Sequence, residues 1–187
     1  MKIWKAHLQK LTAGMENKKL SISQVIELIK GSNIKGEKVV DTANEIKLVV
    51  DYTKTLEQVI AEGNYNWENN NIITKNFPVS AEMIGKKTEI SAKLFHFNRI
   101  TGSVDVIAEM DKDGYRPATL MELLILGILF PELQRQFPIV ALGSIWHHKD
   151  GDYYVPFLYA SGSRRELGLL WFDLVWDVRF RFLGARK

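Results

Sequence analysis

The stretch that most limits the fold is DGYRPATLMELLILG, residues 113–127. Thr119 followed three residues later by Glu122 is a capping box, in which each side chain bonds the other residue's backbone N–H. Leu120, Leu123 and Leu124 then repeat at helical spacing, so a core-facing helix is expected to start just after Thr119. Pro117 disfavours helix at Arg116 and holds it extended. Tyr115 and Arg116 are therefore delivered, in stiff extended backbone, onto a helix start. Arg116 is placed to bridge to a carboxylate.

The rest of the chain is read around this junction. Ser21 or Ser23 can cap a helix whose apolar face is Val25, Ile26, Leu28 and Ile29, with Gly31 ending it. GSNIKGEK then reads as a linker, so residues 1–38 form a helical N-terminal appendage and 39–187 the globular domain. VVDTANEIKLVV (39–50) alternates well enough for a strand. Thr53 or Thr55 caps a helix with Leu56, Val59 and Ile60 inward, and Gly63 ends it. NYNWENNN is a polar loop carrying Tyr65 and Trp67. KTEISAKLFHFNR (87–99) has β character, with Ile90, Ala92 and Leu94 on one face. GSVDVIAEM (102–110) predicts a short helix capped by Ser103.

Beyond residue 131 the pattern becomes β-rich. PIVALGSIW and YYVPFLYASG are separated by HHKDGD, a hairpin turn with Asp150-Gly151 at its tip. ELGLLWF and VRFRFLGAR are two more strands joined by DLVWD. Helices first and an antiparallel β-rich end make this an α+β fold, not a doubly wound sheet.

Composition narrows the function classes. The 187 residues contain no cysteine, which excludes disulfides, thiolate metal sites and cysteine nucleophiles. The apolar run 120–130 is about half the ~20 residues of a membrane span, and Glu122 interrupts it. No signal-peptide pattern is present, so a soluble, cytoplasmic protein without membrane contact is expected. The net charge of +3 is concentrated in the first fifty and last twenty-five residues. Those N-terminal lysines are dispersed, with no Arg and no aromatic ladder, so nucleic acid is not the expected partner.

Motifs for catalysis are missing from the sequence. There is no Gly-x-Ser-x-Gly, no Walker A and no Gly-x-Gly-x-x-Gly. His147 and His148 are adjacent and would point to opposite faces of a strand, which does not suit a shared metal. His96, between Phe95 and Phe97, reads as a packed or surface residue. Asp111 and Asp113 in DKDG read as a surface turn. ASGSRREL places Arg164 and Arg165 beside small residues, where they could meet an anion. No catalytic residue, metal site or cofactor is assigned.

The junction also carries a resemblance. GYRPATLMELL resembles the Gly-Tyr-Arg-Leu-Pro-Thr-x-x-Glu-Trp pattern of the formylglycine-generating, sulfatase-modifying-factor branch of the C-type-lectin-like fold. Gly114, Tyr115, Arg116, Thr119 and Glu122 match it. Pro117 and Ala118 stand where that family has Leu-Pro, and Leu123 replaces its aromatic. RFRFLGARK is similar to the family's closing strand, and Trp176-Asp177 to the Trp-Asn-Asp region before the last strand of C-type lectins. The resemblance spans roughly residues 88–187. The run from Arg116 to Ser144 also resembles a family of bacterial proteins. The resemblance implies a C-type-lectin-like scaffold without its usual chemistry. The oxidase needs cysteines, the iron-dependent relatives need a histidine-rich site, and calcium-dependent sugar binding needs Glu-Pro-Asn or Gln-Pro-Asp. This chain has none of these.

The expected function is a non-enzymatic domain that binds a protein or a small ligand through C-terminal loops 147–152, 159–166 and 172–177. The candidate ligand-binding residues are Tyr153, Tyr159, Arg164, Arg165 and Trp176, since Tyr and Trp give large contact area at low entropy cost. The same fold serves the variable proteins of diversity-generating retroelements, so a display protein fits this reading. The alternative is a small enzyme or a nucleotide- or anion-binding protein using Arg116, Arg164, Arg165 and His147 or His148. A third role is self-association or partner docking through the helix at 22–30.

Overall fold

The computed structural model describes residues 45–187. The expected appendage at 1–38 and its helix lie outside these residues.

The described chain is a mixed α+β fold. β1 (Ile46–Asp51) alternates strictly, with Ile46, Leu48 and Val50 inward. α1 (Leu56–Gly63) starts at Thr55, not Thr53. Gln58 N–H donates to Thr55 Oγ1 and Thr55 N–H to Gln58 Oε1, a capping box that the sequence reading did not single out. Asn64 in the left-handed region (φ 47°) ends it, the role expected of Gly63. Gly63 is needed for another reason: a Cβ there would sit 2.2 Å from the Tyr65 ring.

The elements that follow are β2 (Trp67–Glu68), β3 (Lys87–Phe95), α2 (Ser103–Lys112), β4 (Tyr115–Pro117) and α3 (Leu120–Leu129). After them come α4 (Leu133–Gln136), β5 (Ile139–Val140), β6 (Trp146–His147), β7 (Tyr153–Ser161), β8 (Arg164–Trp171) and β9 (Arg181–Arg186). The sheet order is β1-β3-β9-β5-β7-β8-β2, with β4 paired to β9 and β6 to β7. The β-rich end is therefore not purely antiparallel. β5 runs parallel to β9, and β2 parallel to β8. Among the described residues β1 and β3 precede α2 and α3, and β3 lies between β1 and the last strand.

Strand alternation divides the interior into two cores. Leu94 and Phe95, Phe157 and Leu158, Phe182 and Leu183 are consecutive residues that fall on different sides. On one face, Val59 of α1 and Leu123 and Leu124 of α3 pack with Leu48, Leu158 and Leu167. On the other, Val106 and Met110 of α2 and the 172–180 segment pack with Phe95, Val140, Phe157 and Phe182. α3 is buried from Leu120 through Gly127, which fits a helix apolar all round.

Two details correct the sequence reading. Gly102, not Ser103, is the N-cap of α2. Ser103 is drawn inward instead: its hydroxyl donates to the Phe172 carbonyl and accepts the Trp176 indole N–H at 2.9 Å. Trp176 is fully buried, edge-on to Phe180 and Phe182, and Thr101 bridges to it through backbone bonds. It is core, not a loop contact for a ligand.

Candidate functional site

The capped helix α3 is anchored on every side of its first turn. Thr119 and Glu122 form the expected capping box. Glu122 is 1% exposed, and its carboxylate takes both Arg116 nitrogens, Nη1 at 3.0 Å and Nη2 at 2.6 Å. The carboxylate that Arg116 meets is thus the cap residue itself. Tyr115 and Gly114 tie this junction to the last strand. Gly114 has φ 81°, its carbonyl accepts from Lys187 N–H, and Tyr115 pairs with Arg186. The Tyr115 hydroxyl donates to Glu45 at 2.6 Å, and this bond, with Arg186 beside it, holds the Glu45 carboxyl below its ordinary value.

The start of α3 also floors a pocket. Gly143 N–H donates to the Ala118 carbonyl at 2.9 Å, and Leu120 N–H to Ser144 Oγ at 2.8 Å. This crossing needs glycine: a Cβ at 143 would lie 2.5 Å from the Pro117 carbonyl oxygen. The opposite wall is the 76–83 segment. Thr74 anchors it by donating its N–H and hydroxyl to Glu57, which holds the Glu57 carboxyl below its usual range, and Phe77 is buried. Between the walls lies a cavity of about 340 Å³, open to solvent on one side. Leu56, Phe77, Met83, Leu120 and Ile145 supply apolar lining; Tyr52, Asn76, Thr119 and Ser144 supply polar lining. Burial, with the Glu122 charge behind it, raises the Tyr52 phenol above its ordinary pKa. The phenol stays protonated and shares a hydrogen bond with Thr119.

The pocket continues into an aromatic ridge. Phe77 packs on Trp146 at 6.4 Å between ring centres, Trp146 on Tyr154 at 5.6 Å, and Tyr154 on Trp171 at 6.3 Å. The Trp171 indole donates to the Tyr154 hydroxyl at 3.0 Å, yet its side chain is 51% exposed. Ile145, joining pocket to ridge, is 46% exposed. Alternation along β7 puts Tyr154 on the face of Leu158, the α3 side of the sheet.

The residues proposed from sequence are not gathered at this site. Tyr153 is exposed but lies on the opposite face of the hairpin, stacked on His147 at 4.6 Å. Tyr159 is half-buried, stacked on Phe157 at 4.5 Å, with its phenol pushed up by burial and by a bond to Glu166. Arg164 is exposed near Glu166 and donates to the Asn66 carbonyl at 3.3 Å. Arg165 is 8% exposed and fully engaged. Its guanidinium donates to the carbonyls of Gly63 (2.8 Å) and Gly127 (2.7 Å) and to Gln134 Oε1 (3.2 Å), over the Tyr65 ring. It is an internal brace, not an anion receptor. The turn at 162–163 lies at the far end of β7 from the 148–152 hairpin, so the three expected loops do not form one surface.

The alternative constellation does not converge either. Arg116 is spent on Glu122, Arg164 and Arg165 lie at the β7–β8 turn, and the histidines lie at the β6–β7 hairpin. His148 Nδ1 is 2.6 Å from Asp150 Oδ1, and Asp150 is held below its usual carboxylate range by that contact. Among the described residues no group of three His, Asp or Glu side chains is arranged to hold a metal ion, and no helix is long and apolar enough to cross a membrane.

Sequence reasoning did not bring together Tyr52, Phe77, Ser144, Trp146, Tyr154 and Trp171. The density of aromatics in 145–154 is the local signal for Trp146 and Tyr154. The arrangement offers hydroxyl groups, an apolar floor and a chain of tilted aromatic rings in contact. No family model, no curated protein and no solved structure matches the chain.

Proposed function

We propose that this chain is a non-enzymatic binding domain on a C-type-lectin-like scaffold, and that it holds its ligand in the pocket beside α3 and along the adjoining aromatic ridge. One observation carries the reading. A concave pocket of about 340 Å³, lined by apolar walls with a few convergent hydroxyls, opens directly onto a ridge that ends in exposed Trp171. That volume falls in the ~300–1,000 Å³ range of small-molecule sites, which share this mix of lining groups. Partly exposed aromatic side chains in contact with one another are uncommon unless something covers them. The scaffold half of the proposal draws support from Gly114, Tyr115, Arg116, Thr119 and Glu122. These motif residues work as one unit that fastens the helix start to the closing strand.

A fragment library screened by thermal shift against the full chain tests the proposal. Compounds that bind should raise the Tm of the wild-type protein by mass action. Their effect should be lost in Trp171→Ala and in Ser80→Trp, two changes at exposed positions, the second of which fills the pocket mouth. Shifts that persist in both variants would place binding elsewhere and refute the reading.

A further inference from the structure

The lining of the pocket restricts what it can hold. Fourteen of the described residues line it, and none of these is charged. Among these described residues a cation would meet no carboxylate, and an anion no Lys or Arg. Burying an unpaired charge is costly, far more than burying a group that finds a hydrogen bond. The positive end of α3 does not change this balance. Its first turn already has a carboxylate of its own, Glu122, which is in turn neutralised by Arg116. An incoming anion would face that buried carboxylate from the pocket side.

The hydrogen-bonding groups are also used asymmetrically. Ser144 Oγ already accepts from Leu120 N–H, which leaves it its own proton to donate and one further lone pair. Asn76 gives one amide N–H to the Asn71 carbonyl at 2.9 Å and keeps its carbonyl oxygen as an acceptor and its second N–H as a donor. Ser80 donates to Glu82 at 3.1 Å and is committed at the rim. The pocket thus presents the Ser144 hydroxyl, with its proton to donate, on the floor and the Asn76 amide, with its carbonyl to accept, on the wall. The Phe77 and Trp146 rings flank the exit towards the ridge.

We infer that the pocket takes an uncharged, ring-bearing organic ligand with an acceptor oxygen, carbonyl or hydroxyl, directed at Ser144. Its ring would lie against Phe77 and Leu120. This rests on the proposed binding role of the pocket and adds the chemical class of the occupant.

The test is an ¹H–¹⁵N NMR titration of the full chain with four probes of one shape: benzamide, benzyl alcohol, benzoate and benzylammonium. The two neutral probes should shift the amides of Met121, Gly143, Ser144 and Ile145, at least about tenfold more tightly than either ion, given the cost of an unpaired buried charge. The same shifts should vanish in Ser80→Trp, whose folding is checked by its own spectrum. If an ion binds these amides as well as the neutral probes do, the inferred class is wrong while the pocket remains the site. If none of the four moves these amides, or if the shifts survive Ser80→Trp, both the class and the site are refuted.

Discussion

Removing the guanidinium of Arg165 should weaken the fold more than any other single change to a polar side chain. Its three acceptors come from three elements. Gly63 closes α1, Gly127 lies in α3 and Gln134 lies in α4, while Arg165 itself begins β8. Among the described residues no carboxylate forms an ion pair with it, though the Glu132 charge is near enough to act on it, so carbonyl dipoles near the C-terminal ends of α1 and α3 carry most of the compensation, the ends at which a cation is favoured. In Arg165→Met the cost of burying the charge disappears, but three buried acceptors lose their donors. Each unpaired acceptor costs about 1–3 kcal/mol, and partial relaxation puts the expected net loss at about 3–5 kcal/mol. With a urea m-value of about 2 kcal/mol/M the midpoint should fall by about 1.5–2.5 M, read by tryptophan fluorescence. Arg165→Lys, which can reach only some of these acceptors, should fall between the two. Tyr65→Phe serves as a control. The Tyr65 hydroxyl is buried without a hydrogen-bond partner, so its removal should leave stability unchanged or raise it by up to about 1 kcal/mol. A midpoint for Arg165→Met within about 0.5 M of the wild type would refute the brace and reopen the anion reading of this residue.

Three further outcomes follow from the geometry. Arg116→Ala, which leaves the buried Glu122 carboxylate with only the Thr119 N–H bond, should cost about 1–3 kcal/mol in equilibrium urea unfolding, and the loss should shrink in an Arg116→Ala/Glu122→Gln double variant. Gly143→Ala forces apart two backbone segments that touch and should cost about 2–4 kcal/mol by calorimetry, with the pocket-lining amides shifted in its NMR spectrum. Asp51 is held down to about 2, first by the Thr53 hydroxyl and then by Lys87. Because its folded pKa is depressed, the stability it contributes is present above the ordinary carboxylate value and is lost as pH falls through about 2. The urea midpoint should therefore decline between about pH 4 and 2, and Asp51→Asn should decline less steeply over that window.

Much of the local structure was legible because its causes are local. The Thr119–Glu122 box depends only on residues three apart, and it forms as the sequence requires. The hairpin at Asp150-Gly151 depends on glycine's access to positive φ, and Gly151 stands at φ 97°. The alternation of Ile90, Ala92 and Leu94 fixes the inward face of β3. What depends on residues far apart was not legible. Arg165 reads as surface in ASGSRREL, and only the meeting of α1, α3 and α4 around it makes it internal. Trp176 reads as a loop aromatic, and only the path of 172–180 across the second face of the sheet buries it. Ser103 reads as a cap, but the nearby Phe172 carbonyl and Trp176 indole claim its hydroxyl. The pocket has the same origin, since Tyr52, Phe77, Thr119 and Ser144 come from four separate segments. The sequence by itself determined the start of α3 and the turn at Asp150-Gly151, because caps and backbone preferences act over a few residues. The tertiary structure alone decided which polar and aromatic side chains face inward and which line a pocket, because that depends on which segments the sheet order brings together.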